Sequence, residues 1–120
     1  MSDQPDSLNA LRDALRNFVA ERDWAQFHSP KNLACALSVE AAELLEPFQW
    51  QAAGDAQELG PAALAAVRHE MADVLTYLIL LADKLEVDLI AAAQEKIALN
   101  ALKYPAQQVR GDARKYSDYK

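Results

Sequence analysis

Four acidic residues interrupt two segments of this chain that are otherwise apolar and helix-like. Glu40-x-x-Glu43 and Glu70-x-x-Asp73 share one spacing, and residues 44–69, 26 in all, separate the two pairs. Charged side chains rarely face a protein interior unless a partner neutralises them. No basic side chain in the sequence stands out as that partner, whereas a hard divalent cation such as Mg²⁺ would supply the missing charge.

Helical geometry turns the first pair toward the interior. A helix advances about 100° per residue, and the apolar residues within about 60° of Glu40 are Leu33, Leu37 and Leu44. Glu43 falls about 60° to the other side and borders this apolar face. Glu40 is therefore predicted to lie within the buried face and Glu43 at its edge.

The second pair repeats this arrangement on another predicted helix. With Glu70 as the origin, the apolar residues within about 60° are Val67, Val74 and Leu81. Asp73 borders their face as Glu43 borders the first. Antiparallel packing of the two helices would bring the four carboxylates together.

Electrostatics favours a metal ion at such a meeting point. Two carboxylates about 5 Å apart repel by about 3 kcal/mol at an effective dielectric of about 20. Four of them require protonation or a counter-charge. Oxygen ligands suit Mg²⁺, and the lack of a Glu-x-x-His pair disfavours a di-iron site. Each pair alone is more typical of an exposed helix, and Glu46, turned away, is predicted to be ordinary surface charge.

Apolar spacing, capping residues and prolines predict four helices that position these acids. Their expected spans are about 7–23, 29–47, 61–85 and 88–103, with a connector at 24–28 and a loop at about 52–61. No alternating strand pattern is present. We therefore expect an all-α four-helix bundle that forms one domain over residues 1–105, followed by a flexible C-terminal tail at 106–120.

Composition restricts the class of protein. The net charge of −6 disfavours nucleic acid or an anionic membrane as a partner. The longest apolar run, residues 74–82, is too short to span a bilayer, and the polar N-terminus does not resemble a signal peptide. A cytoplasmic protein is expected. The single cysteine, Cys35, excludes an intramolecular disulfide.

Further motifs accompany the acidic pairs over most of the chain. They are Ala20-Glu21-Arg22-Asp23-Trp24, Gln26-Phe27-His28, Asn32-Leu33, Phe48-Gln49-Trp50, Val87-Asp88-Leu89, Lys103-Tyr104-Pro105 and Arg114-Lys115-Tyr116. In this combination the chain resembles the all-α nucleotide pyrophosphohydrolases related to MazG and to the dimeric dUTPases. The dCTP pyrophosphatase branch is the most similar.

The resemblance implies an enzyme that hydrolyses a nucleoside triphosphate between its α and β phosphates. The substrate it implies is dCTP or a modified dCTP, and the products are a monophosphate and pyrophosphate, as in nucleotide-pool sanitation. The residues that match the family's Mg²⁺-binding and catalytic acids are Glu40, Glu43, Glu70 and Asp73. One of the glutamates is expected to accept the proton of the attacking water, with Glu40 the first candidate.

The resemblance also implies the two ends of a substrate site. Phosphate contacts match Lys96, Asn100, Lys103 and Tyr104. The first three of these share a helix face by their spacing, which independently suits a triphosphate. The base pocket matches Trp24, Trp50 and Tyr77, with His28 as an accompanying residue, and aromatic rings can stack on a base.

The family's assembly implies a homo-oligomer, either a dimer or a tetramer. Two other functions stay open at this point. One is the same chemistry on another pyrimidine or noncanonical dNTP. The other is a non-enzymatic helical module whose acids contact a basic partner, which predicts exposed acids and no dependence on a metal.

Overall fold

The secondary structure is entirely helical within residues 7–113, which the computed structural model of this chain describes. Its α-helices there are α1 (Leu8–Glu21), α2 (Pro30–Leu45), α3 (Ala56–Lys84), α4 (Leu89–Lys103) and α5 (Ala106–Val109). Two short 3-10 helices cover Ala25–Phe27 and Glu46–Phe48. The all-α prediction is confirmed. No helix in this part of the chain is long and apolar enough to cross a membrane.

A polar side chain closes the first turn of each long helix. These acceptors are Ser7 for α1, Ser29 for α2, Asp55 for α3 and Asp88 for α4. Each satisfies one of the backbone N–H groups that a helix start leaves unpaired, and such a cap typically stabilises by about 1 kcal/mol. Ser29 and Asp88 coincide with the starts, at about 29 and 88, that the sequence predicts for the second and fourth helices.

Proline ends α2 as the sequence predicts. The helix stops at Leu45, and the chain tightens into the 3-10 helix Glu46–Phe48 that contains Pro47. Proline lacks the N–H that would continue the helical ladder, and its ring restricts the preceding residue. The tightened turn leads directly into the loop that carries Trp50.

The start of α3 differs from the prediction. Helix was expected from Pro61, but the structure begins it at Ala56, with Asp55 as its cap. Gly60 interrupts the helical backbone with φ 79° and ψ 171°, a left-handed φ that glycine adopts without strain. The predicted loop is thus partly a capped helical turn, and the uninterrupted helix follows from Pro61.

Part of the predicted flexible tail is also helical. Pro105 leads into α5, where its carbonyl oxygen accepts the N–H groups of Gln108 at 2.9 Å and Val109 at 3.1 Å. Proline fixes the φ of the residue before the helix, which favours this turn. Arg114, Lys115 and Tyr116, the other tail residues of interest, lie outside the described residues.

The chain divides into two compact units, with the boundary between Glu86 and Val87. In the first unit, α2 packs mainly against α3, and α1 also packs against α3. Val19, Leu33 and Leu80 form the buried cluster there, with Leu15, Tyr77 and Leu81 packed around it. These apolar contacts fix the helices that carry all four acids of the two motifs.

A bidentate ion pair joins α1 to α3. Arg16 donates from Nε to Asp83 Oδ2 at 2.8 Å, and its Nη2 donates to the other carboxylate oxygen. Two parallel bonds fix the relative orientation of the two side chains as well as attracting them. The pair holds the pKa of the Asp83 carboxyl below its usual value, first through the hydrogen bond to Arg16.

The second unit consists of α4 and α5 together with their connections. Every residue of α4 except Leu89 is exposed in this chain. The exposed residues include Ile90, Ile97 and Leu102, with 53%, 69% and 79% of their surface accessible. These side chains give α4 a substantial exposed apolar surface. The predicted division of the chain at residue 105 stays a prediction.

Candidate active site

Three of the predicted acids meet where α2 packs against α3. Glu40 and Glu43 come from α2 and Glu70 from α3, and each is half-buried. One carboxylate oxygen of each lies within 4.8 Å of the others. The structure therefore brings together acidic groups that are distant in the sequence, as the matching apolar faces predicted.

Asp73 stands beside this cluster and is not one of its three members. Its side chain is exposed on α3. Because Asp73 is three residues after Glu70, the two side chains are about 60° apart around the helix axis. Its negative charge still reaches the cluster, because it raises the pKa of both Glu40 and Glu70. The fourth acid thus acts on the group through its charge.

Two oxygens of the cluster are buried without a hydrogen-bond partner. They are Oε2 of Glu40 and Oε2 of Glu70, and no donor reaches either from the described residues 7–113. A buried acceptor left unpaired is unfavourable, and a buried carboxylate more so. Oxygen atoms that the protein leaves unpartnered are the donor set that hard divalent cations prefer.

The environment raises the pKa of Glu40 to about 7, from 4.5. Burial is the largest cause, followed by a side-chain hydrogen bond to Glu43 and the negative charges of its acidic neighbours. The pKa of Glu70 is raised as well, first by burial and then by the charges of Glu43 and Asp73. The cluster therefore holds protons more tightly than ordinary surface acids do.

Glu46 is exposed, as the sequence predicts. Its charge nevertheless reaches the cluster, because it is among the causes that raise the pKa of Glu70. Glu46 begins the 3-10 helix that follows α2.

The predicted base-contacting aromatics occupy different surroundings. Trp24 is 43% exposed and meets the ring of Phe18 edge-on, with ring centres 5.7 Å apart. The guanidinium of Arg22 covers the same Phe18 ring at 3.7 Å. The sequence analysis gave no role to Phe18 or Arg22, although Arg22 lies within the Ala20–Trp24 motif and Phe18 shortly precedes it.

His28 and Tyr77 adjoin the same apolar cluster. His28 helps to line a cavity of about 150 Å³, which Val19, Leu33 and Leu80 also line. Tyr77 is half-buried and packs against that cluster. Trp50 differs from the other three predicted base contacts, because it lies in the loop after α2 and is 87% exposed.

The predicted phosphate contacts all lie in the second unit. Lys96, Asn100 and Lys103 are on α4, and their spacing puts them on one face of that helix. Tyr104 caps the helix, donating its backbone N–H to the Asn100 carbonyl oxygen at 2.8 Å. Because α4 is helical from Leu89 to Lys103, the predicted shared face of Lys96, Asn100 and Lys103 is present.

Comparison with known proteins agrees with the resemblance seen in the sequence. Residues 35–119 match the MazG-like family. The chain is 43% identical to human dCTP pyrophosphatase 1 over 114 residues, which are 93% of this chain and 67% of that protein. It is 42% identical to the bovine protein of that name, over 93% of this chain and 68% of the relative.

A solved structure agrees with the sequence relatives. A pyrophosphatase from Archaeoglobus fulgidus superimposes with a TM-score of 0.76 at 40% identity, covering 88% of this chain and 98% of the other. The chain belongs to the MazG-like family. It is an enzyme of the nucleoside triphosphate pyrophosphohydrolase class.

In this MazG-like enzyme, the acidic cluster fits a divalent cation. Its donors are carboxylate oxygens, and one oxygen from each of Glu40, Glu43 and Glu70 lies within 4.8 Å of the others. Glu40 and Glu70 each have an oxygen that is buried without a partner in the described chain. Together with the charge of Asp73, the cluster is a strongly negative site that is incomplete without positive charge.

A residue that holds the neighbouring loop was not singled out from the sequence. The carboxylate of Glu58, in the first turn of α3, accepts backbone N–H groups from the loop that follows Trp50. Asp55-x-x-Glu58 is a capping-box spacing, which could have indicated a helix start here. The expected loop over residues 52–61 concealed that signal.

Glu40→Gln is expected to stabilise the metal-free protein at neutral pH and to weaken its pH dependence. An acid whose pKa rises from 4.5 to about 7 on folding binds a proton in the native state that the unfolded state has released. Its contribution to the free energy of unfolding is present below pH 4.5 and is lost as the pH rises through about 7. Glutamine cannot titrate and carries no charge.

The measurement is urea unfolding at a series of pH values in the presence of a chelator. Glu21→Gln, which removes an exposed acid at the end of α1, is the control and should keep the parent pH dependence. If Glu40→Gln has the same pH dependence as the parent protein, the cluster is not the source of it.

Proposed function

We propose that this enzyme hydrolyses a deoxynucleoside triphosphate, first of all dCTP or a modified dCTP, to the monophosphate and pyrophosphate. The observation that carries the proposal is the pair of buried, unpartnered oxygens of Glu40 and Glu70 beside Glu43. The names of the mammalian relatives support dCTP as the first substrate to test. Such an enzyme would act on the nucleotide pool, for which we propose a cytoplasmic location.

Mg²⁺ is the cation that we propose for the acidic cluster. Glu40, Glu43 and Glu70 would hold it, with Asp73 completing the ligand set. When bound, it supplies positive charge that offsets the carboxylates and the phosphates of the substrate. The same charge would relieve the repulsion that raises the pKa values of Glu40 and Glu70.

Proton transfer falls to one of the glutamates. Glu40 is our first candidate to accept a proton from the attacking water at a carboxylate oxygen, because it lies in the cluster and has an oxygen that no described residue hydrogen-bonds. A general base must lie within hydrogen-bond reach of the proton that it accepts. The reaction forms a bond from the water oxygen to the α-phosphorus and breaks the bond to the bridging oxygen, which leaves with pyrophosphate.

Substrate contacts are proposed at both ends of the nucleotide. Lys96, Asn100, Lys103 and Tyr104 would bind the phosphates, and the shared face on α4 supports the first three. The base contacts would come from Trp24, Trp50, Tyr77 and His28. Trp50 is the most accessible aromatic of this set, with 87% of its surface free to contact a base.

A protein-interaction module is the function of a different class. It requires acids displayed on the surface for a basic partner. The burial of one oxygen each on Glu40 and Glu70 argues against display, because a macromolecular partner cannot reach those atoms. Hydrolysis of another pyrimidine or noncanonical dNTP uses the same cluster and differs only in the base contacts.

A homo-oligomer, a dimer or a tetramer, is proposed as the working form. Large apolar residues such as Ile97 and Leu102 are 69% and 79% exposed on α4. Exposed apolar surface on this scale in a small protein is typical of an interface. A second copy of the chain is the occupant that we propose for it.

The first test incubates the purified protein with Mg²⁺ and a panel of dNTPs and resolves the products. We expect a monophosphate and pyrophosphate, with dCTP or a modified dCTP turned over fastest. Glu40→Gln and Asp73→Asn should each lower kcat by at least about 100-fold, since loss of even an outer-shell metal partner often reduces activity by 10–100-fold. Glu21→Gln serves as the exposed-acid control, and turnover of no nucleotide by the parent protein would overturn the proposal.

Trp50→Ala should raise KM for the preferred dNTP by about tenfold, because stacking contributes roughly 1–3 kcal/mol per base. Trp50→Phe keeps a stacking ring and should recover most of that loss. The kinetics of all four dNTPs give the comparison. An equal loss for every base, or one confined to kcat, would contradict a role in base recognition.

Leu102→Glu should shift the protein from a multiple of 13.3 kDa to that monomer mass in sedimentation velocity. A charge at a buried apolar contact is strongly unfavourable. Gln94→Glu adds the same charge at a polar position of α4 and should leave the mass unchanged. A parent protein that sediments as a monomer would refute the oligomer.

A further inference from the structure

One side chain ties down the backbone of the loop that carries Trp50. The carboxylate of Glu58 accepts three consecutive backbone N–H groups, from Ala52 and Ala53 at 2.9 Å each and from Gly54 at 2.6 Å. Bonds to a charged acceptor are roughly twice as strong as neutral ones. Three donors on successive residues fix the orientation of three peptide planes.

This contact reaches further than ordinary helix capping. In a capping box the third helical residue bonds the backbone N–H of the N-cap residue itself. Asp55 is the N-cap here and accepts the Glu58 N–H at 2.8 Å, but the Glu58 side chain passes beyond it to the three residues before. These three hydrogen bonds hold the pKa of Glu58 below its usual value, with the bond from Gly54 the largest cause.

A second contact, between Gly54 and Phe48, restricts the same loop. A methyl group added to Gly54 would lie 2.6 Å from Cδ1 of Phe48, and Gly54 has φ +76°. Only glycine allows the backbone to approach the ring so closely in this conformation. Phe48 in turn begins a tight turn through Trp50, since the Gln51 N–H donates to its carbonyl oxygen at 3.0 Å.

Trp50 therefore depends on its backbone for its position. With 87% of its surface exposed, its ring has little packing of its own to hold it in place. The residues on its C-terminal side are fixed by Glu58, and those on its N-terminal side by the 3-10 turn. A ring held in this way is pre-organised, which reduces the entropy lost when a base stacks on it.

We propose that Glu58 is a positioning residue for base recognition, holding residues 52–54 so that Trp50 presents its ring to the nucleotide. The inference rests on the proposed function, because Trp50 is a base contact only in that reading. It assigns to Glu58 a role in affinity and base selectivity, while the hydrolytic step belongs to the acidic cluster on α2 and α3.

The test compares Glu58→Gln and Glu58→Asp with the parent protein. Glutamine lacks the charge and offers one acceptor oxygen, so it cannot hold all three donors. Aspartate keeps the charge at the start of α3 but is one methylene too short to span the loop, and it covers the case in which glutamine prevents folding. Gln57→Ala, an exposed neighbour in the same helical turn, is the control.

The kinetic readout separates positioning from catalysis. We expect KM for the preferred dNTP to rise about fivefold, equivalent to about 1 kcal/mol, with kcat at saturation changed by less than about twofold. The preference for that dNTP over the others should fall by a similar factor. Gln57→Ala should match the parent protein in KM and kcat.

A second readout does not depend on activity. The sequence has two tryptophans, so Trp24→Phe leaves Trp50 as the single reporter. In that background, Glu58→Gln and Glu58→Asp should lower the fluorescence anisotropy of Trp50, because the loop gains freedom. Gln57→Ala should leave the anisotropy unchanged.

The proposal requires both the change in KM and base preference and the fall in Trp50 anisotropy. Unchanged anisotropy, or an unchanged KM and base preference in a variant that is merely less stable, would overturn the positioning role and leave Glu58 as a helix cap. If the parent protein hydrolyses no dNTP, the proposed function fails by itself, and the anisotropy still decides whether Glu58 holds Trp50.

Discussion

The repulsion among Glu40, Glu43 and Glu70 is the constraint on which the rest of this structure depends. One carboxylate oxygen of each lies within 4.8 Å of the others, and Glu40 and Glu70 each bury an oxygen without a partner in the described chain. Left to themselves, such groups would separate or take up protons, and the raised pKa values of Glu40 and Glu70 express that tendency. The fold must supply enough favourable packing elsewhere to keep them together.

That packing comes from a small apolar cluster and one ion pair. Val19, Leu33 and Leu80 are buried, and Leu33 has only 1% of its surface exposed. The bidentate contact between Arg16 and Asp83 joins α1 to α3 on the same side of the first unit. Both devices act on the helices that carry the acids, so the separation of the carboxylates is fixed by rigid elements rather than by loops.

The sequence predicted correctly those features that depend on neighbouring residues or on the regular period of a helix. Ser29, Pro30 and Asp88 mark helix starts by capping rules that involve only neighbouring residues, and Pro47 ends α2 for an equally local reason. The meeting of Glu40 with Glu70 followed from matching apolar faces. These features could be predicted because a regular helix has one angular period, and residues outside a regular helix do not share it.

The failures occur where that period is broken. The first turn of α3 was taken for loop because Gly60 and Pro61 follow it. Glu58 was missed for the same reason, since its bonds to Ala52–Gly54 depend on a loop conformation that no periodic pattern encodes. Charge interactions at a distance, such as that of Asp73 on the cluster, require three-dimensional positions.

The acidic cluster and Trp50, two parts of the proposed substrate site, are therefore held in place by different interactions. The acidic cluster is held by helix packing, so weakening it requires disrupting the core around Leu33. Trp50 is held by the hydrogen bonds of one exposed carboxylate and by the approach of Gly54 to Phe48. A substitution at Glu58 or Gly54 would therefore act on Trp50 first, and on the acids only through α3. Tyr77 and His28 differ from Trp50, because they adjoin the apolar cluster that also holds the acid-bearing helices. Of these three proposed base contacts, Trp50 is thus the one whose position depends on supports outside that cluster.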